Sequence, residues 1–264
     1  MRKQLLTTSL LLFSILSFGQ GLKLVNQKLT QAFGKINYWT FYKVDNNKID
    51  SYDSLEKAND TFEKLLLRYT STNPQTLTSN FKNLVDSGLI VVTSEDNLFR
   101  IYTWDTQTGG TMHEFRNVYQ YKNAGKVFSK VIKSKNTNED GGDPGCSYYK
   151  LNDIISNNKK YYIAQSTFIL SSGLFYQNLK IFSIDNFKLN DTAKLIKTKT
   201  GLKNELGYEV DLTTAANRDR EVPDYSITYD KSKKIITIPL ILEDGKVTEK
   251  KIMYKFNGQY FEKL

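Results

Sequence analysis

Apolar residues recur every three or four positions between Ser51 and Gly88, the only long stretch of the chain with a helical period. They predict two helices that form a hairpin at about residues 52–88, the first capped by Asp53 and the second begun by Pro74. Gly88 stands where a left-handed C-terminal cap is expected. The apolar stripes of the two helices are Leu55, Ala58, Phe62, Leu65, Leu66 and Tyr69, and then Leu77, Phe81, Leu84 and Val85.

From Leu89 onward the period changes to two and aromatic and β-branched residues dominate, which is typical of strands with a buried face. Asp244-Gly245 and Asn257-Gly258 predict two-residue type I′ connections, so the last four strands are expected to form an antiparallel meander. The predicted strands cover residues 89–93, 99–104, 112–121, 126–133, 148–155, 160–170, 174–185, 226–229, 234–242, 246–256 and 259–263.

These elements predict a mainly β fold of the α+β class. The antiparallel meander forms a curved sheet, a sandwich or an open barrel, with the helical hairpin on its N-terminal side. No Pro-rich or Ser-rich linker and no repeat of fixed period divides the chain, so we expect a single β-rich domain over residues 20–264. Residues 204–225 are expected to cross the surface, and this segment or 135–145 is the expected place for a long functional loop.

The first residues have the pattern of a secretory signal peptide. Arg2 and Lys3 supply positive charge before an apolar run over residues 5–18. This run is shorter than the ~20 residues that a permanent membrane-spanning helix needs. Small residues before the junction predict cleavage after Gly19, so residues 1–19 are interpreted as a signal peptide and the remainder as an exported protein.

Charge and cysteine content narrow the range of partners. The formal net charge is +9, of which Arg2 and Lys3 carry two, so residues 20–264 carry +7. The lysines are dispersed, which suits solubility and protected strand edges. Together with export, this composition argues against nucleic acid as a partner and does not exclude anionic polymers of the cell envelope. Cys146 is the only cysteine, so no intramolecular disulfide forms, and we expect it to be buried.

The most distinctive stretch is RIYTWDTQTGGTMHEF, residues 100–115, which predicts a strand, a turn and a returning strand. One interpretation is a ligand-binding cluster of polar groups beside an aromatic ring at the mouth of this hairpin. The alternative is a structural turn, capped by its own side chains and given its backbone angles by Gly109-Gly110. The candidate ligand-binding residues are Trp104, Asp105, Thr111, His113 and Glu114.

Motifs for catalysis are few. His113 is the only histidine, which excludes a multi-histidine zinc site, and no G-x-S-x-G or phosphate-binding loop is present. We therefore predict no cofactor and favour a non-catalytic binding or envelope-associated module, with envelope glycans or another envelope protein as partner. The alternative is a hydrolase that acts on an envelope or extracellular polymer with carboxylates and His113.

A weak calcium pattern lies in the second expected loop. Asn136, Asn138 and Asp140 place oxygen-bearing side chains at alternate positions before Gly141. Ser147 occupies the twelfth position, where a calcium loop carries a bidentate glutamate. A solvated loop is therefore the favoured interpretation of this segment.

Several features together resemble uncharacterised exported proteins of Bacteroidetes-type bacteria. They are the signal sequence with its junction at residues 17–20, the Lys/Asn/Tyr-rich composition, the 100–115 stretch and the closing meander over 250–263. The resemblance implies export, with the periplasm favoured over the extracellular space because the C-terminal end belongs to the same meander. It implies no activity.

Overall fold

A computed structural model of the protein describes residues 2–41, 50–132 and 144–264, with side chains from residue 21 onward. The fold is mainly β with antiparallel sheets, as the sequence predicts. Three open sheets stack face to face behind a pair of N-terminal helices. Among the predicted architectures the arrangement corresponds to a sandwich, extended to four layers.

The helices are α1 (Arg2–Phe41), α2 (Ser51–Thr72) and α3 (Lys82–Asp86), with a 3₁₀ helix over Pro74–Leu77. The strands are β1 (Ile90–Thr93), β2 (Phe99–Asp105), β3 (Phe115–Asn123), β4 (Lys126–Lys130), β5 (Ser147–Ser156), β6 (Lys159–Ile169), β7 (Leu174–Asp185), β8 (Lys188–Asn190), β9 (Ile196–Thr198), β10 (Gly201–Lys203), β11 (Glu205–Asp211), β12 (Thr228–Asp230), β13 (Ile235–Ile241), β14 (Val247–Phe256) and β15 (Phe261–Lys263).

The helical hairpin is confirmed, but its members are α1 and α2, not the two halves of residues 52–88. The predicted stripe of α2 is buried at Leu55, Ala58, Phe62 and Leu66. Helix α1 supplies the opposing stripe over residues 21–41, where the sequence pattern predicts no helix. Its buried residues are Val25, Leu29, Ala32, Phe33 and Ile36.

The segment after α2 is too irregular to form a second long helix. Pro74 begins a 3₁₀ helix in keeping with its fixed φ, but a left-handed φ of 43° at Phe81 separates that turn from α3. Gly88, with φ of 112°, ends the segment as predicted. The N-cap of α2 is Asp50, whose carboxylate accepts the N–H groups of Tyr52 and Asp53, so the prediction of Asp53 as the cap is wrong.

Among the described residues, no helix has both the length and the apolar character that crossing a bilayer requires.

The first sheet has the order β1-β2-β3-β4, and the middle sheet has the order β11-β7-β6-β5, with β8 paired to the far end of β7. The outer sheet has the order β10-β9-β15-β14-β13-β12 and contains the predicted C-terminal meander over β12–β15. Strand β15 lies between β14 and β9, and its pairing with β9 is parallel.

The middle sheet is buried on both faces. Tyr162 and Ala164 of β6 point toward the first sheet, whereas Ile163 points toward the outer sheet, because successive residues of a strand face opposite sides. A third cluster of buried residues lies between the helices and the first sheet. Cys146 is buried between the first and middle sheets, as expected.

Residues 188–211 add four short strands that the sequence pattern does not predict. One of them, β11, pairs with β7 along seven residues as an edge strand of the middle sheet. The predicted surface crossing over 204–225 is therefore wrong in its first part, because residues 205–211 take part in a sheet. The remainder, from residue 212 onward, forms the long connection to β12.

The type I′ prediction for the two glycine turns is also wrong. A type I′ turn needs positive φ at both central residues, but here only the glycines have it, with φ of 82° at Gly245 and 102° at Gly258. The strand ends are held by longer connections instead, in which Asp244 and Asn257 accept backbone N–H groups through their side chains.

The strands run between two ends of the stack, which carry different connections. The hairpin end has the short turns at 94–98, 124–125, 157–158, 186–187 and 231–234. The loop end has the connections at 106–114, 170–173, 212–227 and 242–246.

Candidate functional site

The structure brings two of the predicted site residues together at the loop end. Nδ1 of His113 lies 2.5 Å from Oδ2 of Asp105, across the mouth of the β2–β3 hairpin. The other oxygen of Asp105 accepts the N–H of Gln107 at 2.8 Å, and the imidazole stacks on Phe115 with ring centroids 6.1 Å apart. The carboxylate thus orients the imidazole through Nδ1, and the side chain of His113 is 43% exposed.

Glu114 and Thr111 lie on the same loop but do not join this pair. Oε2 of Glu114 accepts the hydroxyl of Thr108 at 2.7 Å, and its carbonyl closes the loop by accepting the N–H of Thr106 at 2.8 Å. Thr111 is exposed. These contacts are those of a loop that satisfies its own polar groups.

Trp104 lies on the opposite face of β2 from Asp105. Its indole is fully buried against α2, where Nε1 donates to Oδ1 of Asn59 at 2.9 Å and the ring meets Phe62 edge to face at 5.0 Å. The grouping of Trp104 with Asp105 in one cluster is therefore not observed, because adjacent residues of a strand point to opposite sides. Trp104 serves the core between the helices and the first sheet.

The glycines of this loop act differently from the prediction. Neither Gly109 nor Gly110 has a positive φ, and the left-handed residue of the loop is Gln107, at 61°. A Cβ on Gly109 would lie 1.9 Å from the carbonyl oxygen of Met112. Gly109 is therefore required by the close approach of two backbone segments.

A concave site lies beside this loop, on the face of the middle sheet that points toward the outer sheet. We call it the aromatic cleft; its volume is about 320 Å³. The loop is attached to the cleft because the backbone N–H of His113 donates to the carbonyl of Ile169 at 3.0 Å. The lining residues of the aromatic cleft are Tyr149, Thr167, Ile169, Phe175, Gln177, Tyr225 and Ser226.

The floor of the aromatic cleft comes from the register of β6 and β7, which places Ile169 opposite Phe175 and Thr167 opposite Gln177. Nε2 of Gln177 donates to the hydroxyl of Thr167 at 3.0 Å. One wall is Tyr149, at a β-bulge between Tyr148 and Lys150. The bulge lets Tyr148 enter the core while its neighbour stays 40% exposed.

The opposite wall is the end of the 212–227 connection, which is held in place by hydroxyl groups. Tyr208 donates to the carbonyl of Tyr225 at 2.8 Å, and Tyr149 donates to the carbonyl of Ile227 at 3.0 Å. The ring of Tyr225 stacks on Phe175 with centroids 6.0 Å apart and planes inclined by 28°. The two walls are thus fixed before any ligand arrives.

The two tyrosines that hold the walls of the aromatic cleft, Tyr149 and Tyr208, have raised pKa values. Burial raises the pKa of Tyr149, and the negative charge of Asp224 raises it further, against a lowering by Gln165. Burial also raises the pKa of Tyr208. Both hydroxyl groups therefore remain hydrogen-bond donors to the loop at neutral pH.

Comparison with protein-family models, with curated proteins and with solved structures finds no match in any of the three. Only the chemistry of the sites themselves therefore indicates a function.

A second polar cluster joins the three sheets at the hairpin end. Nζ of Lys160 lies 2.7 Å from Asp96 and 3.9 Å from Asp153, and Asp153 accepts the N–H groups of Glu95 and Asp96 at 3.1 and 3.3 Å. Lys231 of the outer sheet pairs with Glu95. We call this cluster the charged junction; it borders a cavity of about 470 Å³.

The two aspartates of the charged junction titrate in opposite directions. Burial tends to raise the pKa of Asp96, but hydrogen bonds from Lys160, Ser94 and the N–H of Leu98 outweigh it, so the pKa is lowered. Burial and the charge of Asp96 raise the pKa of Asp153. Paired carboxylates of this kind occur in acid–base sites. Here both carboxylates accept hydrogen bonds from groups of the protein, which indicates a structural role in holding the sheets together.

The opposite shifts predict opposite pH dependences of stability. A lowered pKa contributes stability above the ordinary value of 3.8 that is lost as the pH falls through the folded pKa, so the destabilisation by Asp96→Asn is expected to shrink from about pH 7 to about pH 3. A raised pKa contributes stability below 3.8 that is lost as the pH rises, so the effect of Asp153→Asn is expected to change the other way. Urea unfolding across this range measures both, and parallel pH profiles for the two variants would contradict the assignment.

The weak calcium candidates Asn136, Asn138 and Asp140 lie outside the described residues. Within residues 2–41, 50–132 and 144–264, no group of three or more His, Cys, Asp and Glu side chains is placed to hold a metal ion.

Sequence reasoning did not find the aromatic cleft. Its residues come from β5, β6, β7 and the connection before β12, so only the pairing of distant strands brings them together. One feature of the sequence did indicate part of it: the segment 204–225 is an expected place for a functional loop, and its last residue, Tyr225, lies in one wall of the cleft. The doubled tyrosine at 148–149 was a second signal, since one of the two has to leave the core face.

Proposed function

We propose that this is an exported, non-catalytic binding protein that holds a carbohydrate in the aromatic cleft. The observation that carries the proposal is the composition of the cleft: exposed or half-buried rings of Tyr149, Phe175 and Tyr225 around the amide of Gln177 and the hydroxyls of Thr167 and Ser226. The C–H face of a sugar ring packs on aromatic faces while its hydroxyls bond to amide and hydroxyl groups, so the cleft supplies both kinds of contact.

The size and rigidity of the aromatic cleft support the same proposal. A volume of about 320 Å³ lies at the lower end of ordinary small-molecule sites, which suits one or two sugar units of a longer chain. Both walls are held by backbone-directed hydrogen bonds, so little conformational entropy is lost on binding. The signal-like N-terminal sequence supports export and hence a glycan of the cell envelope as ligand.

The test is a binding screen with one cleft variant and one matched control. A panel of envelope-type oligosaccharides is expected to raise the melting temperature of the wild type, and Tyr225→Ala is expected to weaken binding about tenfold, because it removes the ring that stacks on Phe175. Tyr52→Ala removes a 56% exposed ring of α2 that is not part of the cleft lining, and this variant is expected to bind as the wild type does.

Two outcomes would contradict the proposal. One is a panel in which no oligosaccharide shifts the melting temperature. The other is an equal loss of affinity in Tyr225→Ala and Tyr52→Ala, which would mean that rings in general, and not the cleft, hold the ligand.

A hydrolase is the second candidate, and the contact between Asp105 and His113 favours it. A carboxylate on Nδ1 orients an imidazole so that Nε2 acts as a general base, the arrangement found in hydrolytic triads. The loop that carries this pair borders the cleft, because the backbone N–H of His113 donates to the carbonyl of Ile169, a residue of the cleft lining. Analysis of the same oligosaccharides for cleavage products separates the two candidates: cleavage by the wild type that is lost in His113→Gln supports the hydrolase, and intact oligosaccharides support the binding protein.

A further inference from the structure

A second cleft, lined mainly by lysines and hydroxyl groups, lies at the β9–β15–β14 part of the outer sheet. Its volume is about 500 Å³, and we call it the lysine cleft. It shares no residue with the aromatic cleft or the charged junction. The lining residues of the lysine cleft are Lys197, Thr198, Lys199, Thr200, Tyr254, Glu262 and Lys263.

The position of the lysine cleft follows from the pleat of three neighbouring strands. Ile196, Phe261 and Phe256 lie side by side in the core between the middle and outer sheets. One pleat farther along the same face, these strands carry Thr198, Lys263 and Tyr254, respectively. The face that is apolar in the core thus continues as a shelf that carries a hydroxyl, an ammonium and a phenol.

The charges around this shelf are mostly positive and only partly compensated. Among the described residues, Lys199 and Lys263 form no ion pair with any carboxylate. Lys197 is held over the ring of Tyr260, 4.9 Å from its centroid, with Nζ 3.1 Å from the phenol oxygen. Glu262 is the only acid of the lining, and its carboxylate accepts a hydrogen bond from Asn257 at 3.0 Å.

We propose that the lysine cleft is a second binding site, which takes the phosphate or sulfate group of an anionic ligand. Ammonium groups bind such oxyanions as point charges, and hydroxyl groups donate to their remaining oxygens. A concave site with an excess of positive charge also concentrates anionic ligands. The site is independent of the proposed carbohydrate site, so either proposal stands if the other fails.

The experiment uses the full chain with inorganic phosphate and with polyphosphate as probes, followed by calorimetric titration. The double variant Lys199→Gln/Lys263→Gln is expected to bind polyphosphate at least about tenfold more weakly than the wild type. The slope of log K against log salt concentration is expected to become shallower by about two, because two ammonium contacts are lost. The matched control is Lys57→Gln/Lys64→Gln, which removes two exposed lysines of α2 and has the same net charge. Its affinity is expected to stay within about twofold of the wild type.

The two probes distinguish the sources of the oxyanion. Binding of inorganic phosphate that depends on Lys199 and Lys263 supports recognition of a single free group, and binding of polyphosphate alone supports recognition of groups along a polymer. Equal losses in the two double variants would overturn the proposal, because the attraction would then come from net charge. Absence of binding by the wild type to both probes would overturn it as well.

Discussion

Replacement of Asn59 by leucine is expected to lower the free energy of unfolding by about 2–5 kcal/mol. Asn59 is fully buried, and its amide connects α2 to the first sheet: Oδ1 accepts from Nε1 of Trp104 at 2.9 Å, and Nδ2 donates to the carbonyl of Thr106 at 2.9 Å. Leucine has a similar volume but offers no polar atom, so a buried donor and a buried acceptor lose their partner. Urea unfolding followed by tryptophan fluorescence measures the change.

The control for this variant is Asn83→Leu. Asn83 is an exposed residue of α3, so the same substitution there is expected to change the free energy of unfolding by less than about 0.5 kcal/mol. A similar loss of stability in both variants would show that the amide of Asn59 is not what connects the helices to the sheet.

Phe182→Ala is expected to cost about 3–5 kcal/mol of stability. The ring is fully buried between the first and middle sheets, where it meets Phe99 at 5.3 Å, Tyr119 at 5.8 Å and Tyr148 at 6.4 Å between centroids. These neighbours belong to three strands that cannot all move into the vacated volume, so a cavity remains. The midpoint of urea unfolding is expected to fall while the slope of the transition stays unchanged.

Phe41→Ala is the matched control, since this ring is 79% exposed at the end of α1. Its effect is expected to stay below about 0.5 kcal/mol. A Phe182→Ala variant as stable as Phe41→Ala would mean that the interface between the two sheets collapses without cost, contrary to the packing described above.

The parts of the fold that the sequence predicts correctly are those whose signal is local. The stripe of α2 repeats without interruption from Leu55 to Leu66, and each strand of the closing meander is next to its partner in the chain. The contact between Asp105 and His113 belongs to the same class, because both residues flank one connection between neighbouring strands. Short-range patterns determine such contacts without knowledge of the rest of the fold.

The parts that the sequence does not predict depend on longer-range pairing or on weak patterns. The stripe of α1 from Val25 to Ile36 is interrupted by lysines and polar residues and follows a signal-like segment, so its helical period is faint. Strand β11 becomes a strand because β7 is available beside it, not because its own residues alternate strongly. The aromatic cleft is the extreme case, since Tyr149 and Tyr225 meet only after the middle sheet is complete.

The separation of Trp104 from Asp105, in contrast, can be predicted from the sequence alone. Both residues lie in a predicted strand or at its end, and alternation along a strand assigns them to opposite faces. The period-two rule that identified the strand also predicts that a site containing Asp105 does not contain Trp104.

The place of β15 inside the outer sheet has a consequence for the order of assembly during synthesis. Strands β9 and β10 are translated well before β15, yet they join β12–β14 only through it. The outer sheet therefore stays in two pieces until residues 261–263 join them, after all the other described strands have been made. Such late, non-local closure slows folding and prolongs the period in which chaperones can bind the newly made chain.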